Sequence, residues 1–138
     1  MAHERIEREL SMLEEGGQKA TLVSGTRSGA HIECITYSAV PTAGAACGLP
    51  ATTDVLVPVP GGYPANAIDL AGLPLGSLFL GRVVGQTNVH GTVETAGRQW
   101  CLVSYHPHNG GGAPPWNPMQ HGFHTYLDEL LTWLAKLS

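Results

Sequence analysis

Helical periodicity is confined to the two ends of this 138-residue chain, and what is patterned between them alternates at period two. Near the N-terminus Ile6, Leu10 and Leu13 fall at i, i+4 and i+7. Glu4, Arg5, Glu7, Arg8 and Glu9 lie between them, and Gly16-Gly17 stops the helix. At the other end Phe123, Leu127, Leu130, Leu131 and Leu134 make an apolar stripe, with Asp128, Glu129 and Lys136 outside it. A chain built this way buries two helical stripes against a sheet, so the expected class is α+β with a mostly antiparallel meander.

The middle divides at its glycines and prolines. Residues 19–24 (KATLVS) read as a short strand, Arg27-Ser28-Gly29 as a turn, and residues 30–37 (AHIECITY) as a second strand. Ile32 and Cys34 share one face of that strand, Ile35 and Tyr37 the other. Residues 40–53, rich in Ala, Gly and Pro, read as a connecting loop that carries Cys47. In residues 54–59 (DVLVPV) Val55, Val57 and Val59 share a face, and Pro58 marks an edge or a strand end. Pro60-Gly61-Gly62-Tyr63-Pro64 ends it sharply. From 65 to 90 the pattern weakens into an extended, partly irregular stretch, with residues 77–84 its best strand. Residues 97–105 are extended again and run into a loop at 106–115. No repeat or linker divides the chain, so residues 1–138 are expected to form one domain.

Composition narrows the function. The formal charge is −4, and the seven Lys and Arg are scattered at 5, 8, 19, 27, 82, 98 and 136, too thinly for a phosphate track. Nothing approaches the roughly 20 apolar residues of a membrane span, and the charged N-terminal segment has no apolar signal core, so a cytoplasmic protein is expected. Three widely spaced cysteines, Cys34, Cys47 and Cys101, form neither a disulfide framework nor a zinc knuckle. Cys34 reads as a buried small hydrophobe.

The reactive side chains concentrate late in the chain: His90, Cys101, His106, His108, Asn109, His121 and His124. One explanation is a metal-dependent hydrolase using the His106/His108 and His121/His124 pairs. Against it stand the lack of HExxH or CxxC and the glycine run 110–112, so no metal ligand or other cofactor is assigned. A cysteine hydrolase, with Cys101 and a histidine base, fits the composition but no local signature. Thioester carriage by Cys101 is the third.

Tyr63-Pro64 after an alternating strand, Cys101-Leu102 within residues 97–102 (GRQWCL), and Trp116-Asn117-Pro118 leading into a helix resemble the ubiquitin-conjugating superfamily. The tail through Phe123-His124-Thr125-Tyr126-Leu127 is similar to its divergent bacterial branches. The resemblance implies an N-terminal helix, a four-strand antiparallel meander, an irregular active-site segment and a C-terminal helix. It also implies an acyltransferase that takes a ubiquitin-like protein from an activating enzyme as a thioester on Cys101 and passes it to a target amine. A JAB-type deubiquitinase in the same pathway, and a place in antiphage defence, are implied by the same likeness. Thr87-Asn88-Val89-His90 stands where the eukaryotic branch has His-Pro-Asn, and the chain stops one helix after the cysteine.

A thiol of ordinary pKa, about 8.5, suffices for such exchange when a partner aligns the thioester. Aminolysis then needs an oxyanion donor, worth roughly 2.7–4 kcal/mol, from either Asn88 or Asn109. His106 is the candidate to deprotonate the amine or tune the thiol. Trp100 and Trp116 read as packing residues. The rival within the same resemblance is a non-catalytic module that binds a ubiquitin-like protein, with Cys101 structural.

Overall fold

The computed structural model describes residues 2–68, 70–82, 87–95, 97–104 and 115–137, with the backbone alone at 2, 82, 87–90 and 104. Helix α1 spans Ala2–Glu15 and helix α2 Phe123–Leu137. Between them run β1 (Ala20–Arg27), β2 (Ala30–Pro41), β3 (Thr52–Pro58), β4 (Leu70–Pro74), β5 (Thr87–Thr95) and β6 (Arg98–Ser104). Short 3-10 turns occupy Gly44–Cys47 and Leu78–Arg82.

The strands close into an antiparallel barrel in the order β1-β2-β3-β4-β6-β5. This corrects the four-strand meander and ubiquitin-conjugating fold that the resemblance implied. Two strands were hidden in the weakly patterned stretch. β4 is five residues long and holds Gly72 and Pro74, while β5 is interrupted at Gly91 between two registers against β6. Such residues have poor strand propensity, so these strands are fixed by their partners and not by their own sequence. The closing pair is Thr26↔Glu94 and Arg27↔Val93. Gly25 permits it, since a Cβ there would sit 2.8 Å from the Glu94 carbonyl oxygen.

Residues 77–84, expected as a strand, contain the 3-10 turn instead. The Ser77 hydroxyl accepts from the Phe79 amide at 3.2 Å, and the Leu80 amide donates to the Ser77 carbonyl at 3.1 Å. That local capping competes successfully with extension. Phe79 is buried and Leu80 packs against the same cluster, while Leu78 stays 62% exposed.

Strand alternation divides the interior into two clusters. Ile35, Tyr37, Val55, Val57, Ala71, Leu73, Cys101 and Val103 face the helices and pack with Ile6, Leu13, Phe123, Tyr126, Leu130 and Leu134. Cys34, Leu56, Val93, Trp100 and Leu102 form the second cluster on the opposite face. β2 carries a bulge between Tyr37 and Val40, where Ala39 takes φ 52°. Asp54 stitches it, accepting from the Ala39 amide at 2.8 Å and from Arg98 at 3.0 Å. Among the described residues no helix is long and apolar enough to cross a membrane.

Candidate functional site

Cys101 lies inside β6, opposite Leu73 of β4 and Thr92 of β5. It is 1% exposed and belongs to the cluster under the helices. Its neighbours in sequence explain the burial: Trp100 and Leu102 fill the opposite cluster while Cys101 and Val103 fill this one. A run apolar on both faces is the pattern of a strand covered on both sides. Asn88 falls in β5, where the backbone alone is described. His106 and Asn109 lie outside the described residues. The described structure therefore assembles no constellation around the Cys101 sulfur. Of the other thiols, Cys34 is fully buried, and burial pushes its pKa up to about 12, whereas Cys47 is exposed in a 3-10 turn.

What the fold does bring together is a polar clasp between α1, the Tyr63 turn and α2. Glu9 occurs on the buried face of α1, between Ile6 and Leu13, and is only 3% exposed. One carboxylate oxygen accepts from the Tyr63 hydroxyl at 2.5 Å and from the Phe123 amide at 3.0 Å. The other accepts from Arg5 Nε at 2.7 Å. Arg5 also donates to the His121 carbonyl at 2.6 Å. Glu9 thus caps the N-terminus of α2, where an anion is favoured by the orphan amides and the helix dipole. Gly122 makes room for it, because a Cβ there would come within 2.5 Å of the carboxylate.

The electrostatics follow from burial and this pairing. Burial opposes the Arg5 charge, but its hydrogen bond to Glu9 and the field of that carboxylate hold its pKa above the ordinary value. Burial, reinforced by the hydrogen bond to Glu9, pushes Tyr63 well above the usual phenol range. Tyr37 is shifted the same way, again by burial, and its hydroxyl donates to the Phe123 carbonyl at 2.6 Å. Both Glu9 oxygens are engaged, so the group fastens α1, the Tyr63 turn and α2.

Two of the motifs behind the family resemblance meet beside this clasp. Trp116 Nε1 donates to the Pro64 carbonyl at 2.9 Å, across 52 residues of chain. The Tyr63 ring lies 6.3 Å from Trp116 and 4.9 Å from Phe123. Asn117 then builds a tight turn: its amide donates to His121 Nδ1 at 2.8 Å, and its side-chain oxygen accepts from the Met119 amide at 2.9 Å. His121 is therefore held with Nδ1 as acceptor, its ring tilted 41° to that of Trp116 with the centroids 5.6 Å apart. His124 points elsewhere, its Nδ1 4.0 Å from Glu9. No group of three or more potential metal ligands occurs among the described residues, while His106 and His108 lie outside them.

Sequence reasoning noted Glu9 only as one of the charged residues between the apolar positions of α1 and gave it no role. Its position three residues after Ile6 and four before Leu13 was the signal that it shares their face. A cavity of about 210 Å³ opens beside the clasp, lined by Arg5, Arg8, Glu9, Met12, Met119 and His124.

Fold and clasp together define a small closed β-barrel with two helices fastened over one face. The chain matches no family model, no curated protein and no solved structure.

Proposed function

We propose that this protein is a non-catalytic binding module that holds a ubiquitin-like protein without carrying it as a thioester. The observation behind this reading is the pairing of a shut-in sulfur with a joined motif. Cys101 is 1% exposed, whereas Tyr63-Pro64 and Trp116-Asn117-Pro118, the residues of the resemblance, are held in contact by the Trp116–Pro64 hydrogen bond. Thiolate attack on an incoming thioester requires the nucleophile within about 3–3.5 Å of the acyl carbon. A sulfur in mid-strand, under two helices, offers no such approach. The braced turn before α2 instead gives a rigid surface of the kind that recognition needs.

An activating enzyme, a modifier and a target remain the partners that the likeness suggests, with this chain as adaptor. The test mixes the protein with candidate ubiquitin-like modifiers, an activating enzyme and ATP. Expected are non-covalent binding that Cys101→Ala leaves unchanged and no thiol-sensitive adduct. A reducible band that disappears in Cys101→Ala, without loss of folding, would establish the thioester enzyme instead.

A further inference from the structure

Methionine is an inert side chain, and this fold displays two of them side by side. Met12 is 52% and Met119 88% exposed, and both line the cavity beside the Glu9 clasp. Met12 continues onto the outer face of α1, whose groove is lined by Glu4, Glu7, Arg8, Ser11, Met12 and Glu15. These positions fall on one helical stripe, so the face carries three carboxylates against one guanidinium. Arg5 does not offset them, since its charge is committed to Glu9.

Met119 is not exposed through looseness. The turn beneath it is tied by the Asn117 carbonyl, which accepts from Gln120 at 3.0 Å and His121 at 2.8 Å. The Asn117 side chain and Arg5 fasten it further. An ordered turn that holds an apolar side chain outward has already met the ordering cost of a contact. Thioethers are polarizable and adaptable, which suits them to a binding surface. The other exposed apolar pair, Leu75 and Leu78, differs: Leu75 shares its groove with Glu94 and Arg98, one charge of each sign.

We infer that the Met12–Met119 face is the docking surface for a protein partner whose contact patch is an apolar side chain flanked on one side by Lys and Arg. The apolar centre seats against the two methionines, and the partner's basic residues lie along Glu4, Glu7 and Glu15 on the Met12 side, leaving Arg8 and His124 to line the cavity beside Met119. The acidic rim repels nucleic acid and anionic lipid, which leaves a basic protein surface as the complementary occupant. The inference rests on the binding-module reading and adds which surface binds and what chemistry it accepts.

The test is a methyl NMR titration of the intact protein with a helical Lys/Leu peptide of about fifteen residues, its leucines on one face. A Glu/Leu peptide of the same pattern is the control, at an ionic strength of about 0.15 M. The Lys/Leu peptide should shift the Met12 and Met119 methyls. Met119→Ser should weaken it at least tenfold, and Glu4→Gln with Glu7→Gln severalfold, with a flatter salt dependence. Met119 is exposed enough that its replacement leaves the fold intact, which an unchanged melting temperature verifies. Equal binding by the Glu/Leu peptide, full affinity in Met119→Ser, or shifts centred on Leu75 and Leu78 would each overturn the inference. Failure of the function proposed above shows separately, as absent modifier binding while the peptide still binds.

Discussion

Two sulfur-bearing side chains mark the extremes of this molecule. Cys101, which has the more reactive chemistry, is 1% exposed in the middle of β6, and Met119, which has almost none, is 88% exposed on a braced turn. An enzyme that works through a thiol would reverse this arrangement. The contrast teaches that position decides exposure here: a strand covered on both faces hides Cys101, while a tied turn holds Met119 outward. The Glu9 clasp connects the two regions, because it seats α1 and α2 over the cluster that contains Cys101 and anchors the chain leading to Met119.

The harshest way to break the contrast is to remove the clasp. Glu9→Ala leaves Arg5, the Tyr63 hydroxyl and the Phe123 amide without their shared acceptor. A buried pair broken on one side costs about 3–5 kcal/mol. Chemical denaturation should show a loss in that range, with faster hydrogen exchange at the start of α2. A loss below about 1 kcal/mol would mean that the clasp does not hold the helices.

A smaller effect is expected at alkaline pH. The Cys34 thiol is raised from 9.0 to about 12 by burial, so its neutral form is the one the fold favours. Its contribution is fully present below pH 9 and is lost as pH rises toward about 12. At pH 10 the loss is about 1.4 kcal/mol. Tyr37 and Tyr63, also raised by burial, act in the same direction but begin to matter only above pH 10. Cys34→Ala should therefore flatten the fall in stability between pH 9 and 10. An unchanged slope would mean that the Cys34 environment is wetter than its burial implies.

The smallest effect sharpens the contrast from the exposed side. Met119→Ser should move stability by no more than about 0.5 kcal/mol, as surface replacements do. A larger loss in thermal denaturation would make Met119 a packing residue and remove it as a recognition knob.

Much of the scaffold was legible in the sequence, for stated reasons. The stripes Ile6-Leu10-Leu13 and Phe123-Leu127-Leu130-Leu134 fixed both helices, and alternation fixed β2, with Cys34 and Ile35 on opposite faces as read. β4 and β5 were illegible because Gly72, Pro74 and Gly91 erase local strand signals. Barrel closure through Thr26 and Glu94 is a pairing that no window of sequence contains. At the site, Tyr63-Pro64 and Trp116 were singled out and do meet, but their connection through Glu9 was missed. Glu9 was given no role, although its spacing from Ile6 and Leu13 matched the apolar stripe. The burial of Cys101 went unread, although the apolar run around it (Trp100, Leu102, Val103) describes a strand buried on both faces.

The most direct measurement is native-state alkylation of the three thiols, followed by mass spectrometry. Cys47 should be modified at the rate of a free thiol, with Cys101 and Cys34 protected at least a hundredfold until the protein is unfolded. Modification of Cys101 in the folded protein at a rate close to that of Cys47 would contradict a structural sulfur and return thioester chemistry to β6.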